Sequence, residues 1–259
     1  MMAHVRLHVH EFGPGAGRTV VALHGVTGLA QVFRRLADRL PAFRLVAPDL
    51  RGHGASTKDP PWDLTMHLRD LRETLDAMGI SRAPFIGYSF GGRLAVEMLA
   101  ADRSRIEKLV LLDPALQLDP TEVAAATDRL LADTSFGSVE EAIQARRATA
   151  PYAPDEHFER WSEALVAGAD GRLRLPFSRA AAIAILGELV TPPPRFDLLR
   201  IPTLLIVGAE STMVKPRQIE RYRYELGDFL EVRAVTAKHQ LIGDAADEVA
   251  DAVNGFLAR

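Results

Sequence analysis

The run Gly87-Tyr88-Ser89-Phe90-Gly91-Gly92 sets one hydroxyl among glycines, a pattern of residue types and spacing that suits nucleophilic chemistry. A serine hydroxyl is a weak nucleophile until a base takes its proton, and it must stand clear of its surroundings to reach a carbonyl carbon. Gly87 and Gly91, two residues either side of Ser89, remove the Cβ atoms that would collide in a turn tight enough to present it. Attack on a carbonyl creates an oxyanion, which needs N–H donors. The Phe90 N–H, where a helix opens, points toward that space, and the Val26 N–H in the loop His24-Gly25-Val26-Thr27-Gly28 is the second donor expected.

Such a serine must sit on a strand, a sharp turn and a helix. Apolar Pro84-Phe85-Ile86 precedes the turn and a helical run from Arg93 to Ala101 follows it. Thr19 to Leu23, Phe43 to Ala47, Lys108 to Leu112, Ile201 to Gly208 and Phe229 to Val235 have the length and apolarity of buried strands. Between them come helical patterns. Gln31 to Leu40 carries Phe33, Leu36 and Leu40 on one stripe and stops at Pro41; Leu64 to Met78 follows Asp63 as N-cap and closes at Gly79. Gln218 to Leu226 is a third, and Val249, Val253 and Phe256 share one face of the last. This alternation predicts an α/β fold, a mostly parallel central sheet flanked by helices, with chemistry at the carboxyl ends of the strands. Val26, Ser89, Asp113 and His239 all fall there.

From Ala115 to Pro194 the alternation gives way to helix. Ser138 with Glu141 reads as a capping box, Phe158, Trp161 and Leu165 as one stripe, Asp170-Gly171 as a turn and Pro192-Pro193-Pro194 as an exit. The expected division is a core of residues 1–114 and 195–259 with a helical lid over 115–194.

The length of 259 residues suits one large domain with an insertion. Lys and Arg number 31 against 34 Asp and Glu, so no basic field marks a nucleic-acid or membrane surface, and a small-molecule substrate is expected. Absence of cysteine excludes disulfides and thiolate chemistry. The first 13 residues lack the apolar core of a signal peptide, and the greasiest lid stretch, Ala180 to Leu186, is too short to span a bilayer. A cytoplasmic monomer or homodimer without cofactor or metal is the expectation. His4, His8 and His10 alternate with Val5, Leu7 and Val9, which reads as a solvated strand face beside Arg6. Asp49, Arg51 and His53 sit in a Gly-punctuated turn whose shape their side chains fix.

His24-Gly25, the run Asp49-Leu50-Arg51-Gly52-His53-Gly54-Ala55-Ser56, the serine motif and the late His239 occur in the order and spacing of the α/β-hydrolase superfamily. The chain resembles its compact branch with a helical lid, from about Arg18 onward outside the lid. The resemblance implies Ser89 as nucleophile, His239 as base and an oxyanion hole from the Val26 and Phe90 amides, with His24, Gly25, Tyr88 and Trp161 on the substrate side. An imidazole suits proton removal and return at physiological pH. One departure stands out. The family's usual acid, an aspartate at the third position after Gly208, is replaced by Ser211, so the acid is expected at Asp113, with Glu210 the alternative.

Those residues point to a serine hydrolase cleaving a carboxylic ester or related acyl bond, esterase-like or lactonase-like, through an acyl-serine intermediate. Phe136, Tyr152, Phe158, Trp161 and Phe177 are expected mostly as lid core, with some shaping an apolar substrate site. The segment Gly87 to Arg93 is also similar to the serine motif of SHCHC synthases, lyases of the same fold, for which Arg146, Arg147, Arg172, Arg174 and Arg179 offer carboxylate partners. A ligand sensor of this fold is a third reading, supported by the missing acid at position 211.

Overall fold

The computed structural model describes residues 6–132, 134–198 and 200–259. Seven strands form one sheet in the order β1-β3-β2-β4-β5-β8-β9. They are β1 Val9–Phe12, β2 Arg18–Leu23, β3 Phe43–Pro48, β4 Ala83–Tyr88, β5 Ile106–Leu112, β8 Thr203–Gly208 and β9 Leu230–Val235. All neighbours pair in parallel except β1, which runs antiparallel to β3. The central strands are apolar on both faces because helices cover both sides. Val21, Leu23, Phe85, Leu109, Leu111 and Leu205 pack against one helical layer, which includes α2 (Leu64–Ala77), α3 (Phe90–Ala101) and α8 (Pro216–Leu226). Val20, Ala22, Ile86, Val110, Leu204 and Ile206 face the other, with α1 (Arg34–Ala37), α9 (Leu241–Asp244) and α10 (Ala246–Ala258).

Residues 115–194 lie between β5 and β8 and contain α4 (Pro120–Leu131), α5 (Val139–Arg147), α6 (Asp155–Ser162), α7 (Arg179–Glu188) and a small hairpin of β6 (Val166–Ala167) and β7 (Leu173–Arg174). The hairpin turns at Asp170-Gly171 as the sequence suggests, though its two-residue strands are too short to show a period. One arginine ties this insertion to the core. Arg93 of α3 donates Nη1 to the carbonyls of Leu116 and Thr191 at 2.7 and 2.8 Å, and Nη2 to Thr191 Oγ1 and the Pro192 carbonyl at 2.9 and 3.1 Å. Its Nε meets Glu97 at 2.7 Å. Both stems of the insertion are thus bound to the helix that follows Ser89.

Local structure departs from expectation at three points. The helix expected over Gln31 to Leu40 is a 3-10 turn, Ala30–Phe33, followed by the single turn of α1. Its first amide, that of Ala30, is held by Asp49 Oδ1 at 3.0 Å, and the N-cap residue Leu29 supplies no side-chain bond of its own. Leu165 lies beyond the end of α6, leaving Phe158 and Trp161 on it. Ser138 caps α5, but Glu141 reaches back to the Gly137 N–H at 2.6 Å instead of closing the box on Ser138.

The Asp49–Ser56 turn is fixed by its charges. Asp49 accepts from the N–H groups of Ala30 and Ala55, and Arg51 forms a two-pronged pair with Asp70 of α2, both nearly inaccessible. The N-terminal histidines need a correction. His4 lies outside the described residues and His8 is exposed, but His10 is half-buried with Nε2 3.3 Å from Asp49, so this face is not purely solvated. A buried ion pair is costly to break on one side because it leaves the other charge unpaired. Asp70→Asn should therefore cost about 3–5 kcal/mol of stability, read as a lower urea midpoint at unchanged slope.

Candidate active site

The sharp turn at Ser89 is built from sterics. Ser89 adopts φ 54° and ψ −116° between β4 and α3, a conformation that L-residues rarely hold. A Cβ on Gly91 would lie 1.9 Å from the Leu23 carbonyl oxygen, and one on Gly87 would lie 2.5 Å from that of Gly91. Only hydrogen fits at either place, so α3 can start directly above the sheet edge. Gly25 brings the loop after β2 against the serine: a Cβ there would be 3.1 Å from Ser89 Cβ.

Three side chains from three loops meet at this edge. Ser89 Oγ lies 3.1 Å from His239 Nε2, and His239 Nδ1 lies 2.6 Å from Asp113 Oδ2. Asp113 follows β5 directly, is fully buried and has φ 42°. Glu210 is exposed and its carboxylate accepts the Tyr152 hydroxyl. The residue that occupies the usual acid position is not idle. Ser211 Oγ donates to Asp113 Oδ2 and accepts the Met213 N–H at 3.1 Å. The sequence gives no sign of that contact, because it depends on the register that sets β8 beside β5.

His24 is buried, and its ring is spent on the backbone: Nε2 accepts the Leu50 N–H at 3.0 Å and Nδ1 faces the Gly25 carbonyl at 2.8 Å. It braces two loops and has no nitrogen left for a substrate, which corrects the expectation from sequence. The ring nitrogens of His53 face the carbonyls of Val26 and Arg51. The Val26 and Phe90 N–H groups have no backbone acceptor among the described residues. Tyr88 is almost buried, its hydroxyl 2.9 Å from the His239 carbonyl and 3.1 Å from Gln240 Oε1. Burial pushes its phenol well above the ordinary value, so it is a donor throughout the working range. Trp161 is half-buried beneath the Arg146 guanidinium.

A family model for the alpha/beta hydrolase fold matches residues 18–246. The chain belongs to that family. It is 36% identical over 214 residues to Lipase LipV of Mycobacterium tuberculosis, covering 82% of this chain and 78% of the lipase. It is 37% identical over 135 residues to a Bacillus subtilis protein provisionally named a 2-succinyl-6-hydroxy-2,4-cyclohexadiene-1-carboxylate synthase, an SHCHC synthase, covering 50% of this chain and 49% of that one. Among solved structures, E-2-(acetamidomethylene)succinate hydrolase superposes with a TM-score of 0.87 at 22% identity, over 98% of this chain and 95% of that one. The relatives support a hydrolase of this fold. Among the described residues no helix is long and apolar enough to cross a membrane.

Buried histidines give the fold an acid limit. Desolvation holds His24 and His67 neutral, each with its pKa lowered from 6.5 to about 3. Below pH 6.5 the unfolded chain binds protons that the folded chain excludes, so stability is complete above that pH and falls as pH drops toward 3. Near pH 5 each histidine costs about 2 kcal/mol. The urea midpoint should fall steeply between about pH 6.5 and 4.5, and His67→Leu should flatten that slope.

Proposed function

We propose that this protein is a serine hydrolase that cleaves a carboxylic ester or related acyl bond through an acyl-serine intermediate. The observation that carries this reading is the continuous chain from Ser89 Oγ through His239 to Asp113, with contacts of 3.1 and 2.6 Å. His239 Nε2 takes the hydroxyl proton as Ser89 Oγ bonds to the carbonyl carbon, and the carbonyl oxygen becomes an oxyanion held by the Val26 and Phe90 N–H groups. As the oxyanion collapses, the carbon–oxygen bond to the leaving group breaks and the imidazolium returns its proton to the departing alkoxide. Water then repeats the sequence on the acyl-serine, releasing the acid and restoring the hydroxyl. Asp113 accepts Nδ1–H throughout, holding the tautomer and stabilising the imidazolium. The chemistry needs no cofactor.

Two observations bear on the alternatives. The SHCHC synthase reading has a relative over half the chain, but Arg93, the arginine of the shared serine motif, has its donors taken by the insertion stems and Glu97. The sensor reading rested on a missing acid at position 211, and the 2.6 Å contact of Asp113 with His239 removes that support.

Ser89→Ala should abolish fluorophosphonate labelling and reduce p-nitrophenyl ester turnover by several orders of magnitude, leaving the fold intact. Wild-type turnover in that variant would sink the covalent mechanism. Asp113→Asn should lower kcat by about four orders of magnitude, whereas Glu210→Gln should change it little. Ser211→Ala removes a hydrogen bond to a charged acceptor and should lower kcat roughly 10-fold. Equal losses in Asp113→Asn and Glu210→Gln would refute the assignment of the acid.

A further inference from the structure

The five arginines of the insertion singled out from the sequence differ in what each guanidinium already bonds. Arg147 pairs with Asp155 at 2.7 Å and Arg174 with Asp170 at 2.7 Å. Arg172 holds Ser135 through its hydroxyl and carbonyl, and Arg179 is exposed, 3.5 Å from the Leu131 carbonyl. Arg146 is different. It is half-buried in the last turn of α5, and of the five N–H donors a guanidinium carries, one is bonded among the described residues: Nη2 to Gln240 Oε1 at 2.6 Å. Its Nε is buried with no partner.

The surroundings hold this cation in place without a direct ion pair among the described residues. Its guanidinium carbon lies over the Trp161 ring, 5.4 Å from the ring centre, where the negative face of the ring attracts it. No carboxylate pairs with it among the described residues. Asp244, on the same side, gives one oxygen to the Tyr152 N–H at 3.0 Å and the other to the Lys238 N–H at 3.1 Å. Buried His157 stays neutral near physiological pH, its pKa lowered to about 4 by burial first and by Arg146 second, so it supplies no counter-charge. Desolvation pulls the Arg146 guanidinium below its ordinary value, only partly opposed by Tyr88 and by the charge of Asp244.

The location gives the open donors a use. Gln240, the acceptor of Arg146, follows His239 directly and also contacts the hydroxyl of Tyr88, the residue before Ser89. The guanidinium is therefore linked through Gln240 to the residue beside His239, and through Gln240 and Tyr88 to the residue beside Ser89. We infer that Arg146 anchors a carboxylate carried by the substrate, so that the preferred ester bears an anionic group a short distance from the bond that is cut. A planar fork with adjacent free N–H groups matches a carboxylate in two-pronged fashion, and the dry setting strengthens the pairing.

This inference rests on the serine-hydrolase reading, and the two fail differently. The test compares mono-p-nitrophenyl succinate and glutarate with the neutral butyrate and valerate esters, using the full chain, wild type and variants, alongside fluorophosphonate labelling. In the wild type, kcat/KM for at least one anionic ester should exceed its neutral counterpart by roughly 10-fold or more. Arg146→Met should lower that anionic-to-neutral ratio by roughly 10-fold to 100-fold, mainly through KM, and Arg146→Lys should restore part of it. Thermal melts confirm that each variant is folded. A wild type without preference for the charged esters overturns the inference. So does a folded Arg146→Met variant with an unchanged ratio, which would leave Arg146 as a brace for Gln240 and the His239 loop. Loss of fluorophosphonate labelling in the wild type would instead overturn the hydrolase reading on which the inference stands.

Discussion

A serine at φ 54° and ψ −116° stays there only because the chain on both sides leaves it no alternative. The Ser89 N–H donates to the Leu112 carbonyl at the end of β5, and the Ser89 carbonyl accepts the N–H groups of Gly92 and Ala115. Asp113, the other non-glycine residue with positive φ among those described, lies between Leu112 and Ala115. The two unfavourable conformations sit just beyond adjacent parallel strands, and Ser89 is bonded to the residues that bracket Asp113, Leu112 and Ala115. Each conformation costs of the order of 1–3 kcal/mol, and the close fit of Gly91 under Leu23 and of Gly92 against Pro114 is part of what sustains them.

That edge explains how groups far apart in sequence hold hydrogen-bond distance. His239 lies 150 residues from Ser89 and 126 from Asp113, yet each is the first or one of the first residues beyond a strand of the same sheet. Parallel strands end together, so their following loops share one rim. The register of β8 on β5, Leu112 opposite Ile206, sets the chain that carries Ser211 beside Asp113. The Ser211 hydroxyl thus buttresses the carboxylate of Asp113 that meets His239.

Much of this was legible in the sequence because it depends on local rules. Buried strands show as short apolar runs, and the turn at Ser89 shows as glycines at positions where a Cβ cannot fit. Legibility ended where the answer depended on which side chains meet. Spacing offered both Asp113 and Glu210, and only the fold turns one toward His239 and the other toward Tyr152. The 3-10 start before α1 was hidden because it comes from a long-range bond, Asp49 to the Ala30 N–H, and not from propensity. The hairpin inside the insertion was hidden because two residues a strand carry no alternation.

Residue type alone misleads most where one type plays opposite parts. His24 and His239 lie on the same rim, but the ring of His24 is occupied by the backbone of Gly25 and Leu50, whereas His239 spends its nitrogens on Ser89 and Asp113. The first imidazole is locked in one protonation state by burial. The second is flanked by a proton donor and an acceptor that make proton exchange useful. The arginines divide in the same way. Arg93 is nearly inaccessible and its guanidinium is satisfied by four backbone or hydroxyl contacts and a carboxylate, so its burial is structural. Arg146 is half-buried, with one of its donors bonded and its Nε buried without a partner, and desolvating such a group carries a cost that packing alone does not repay. In a family whose members share a fold, such differences in pairing are where one chain's chemistry departs from another's.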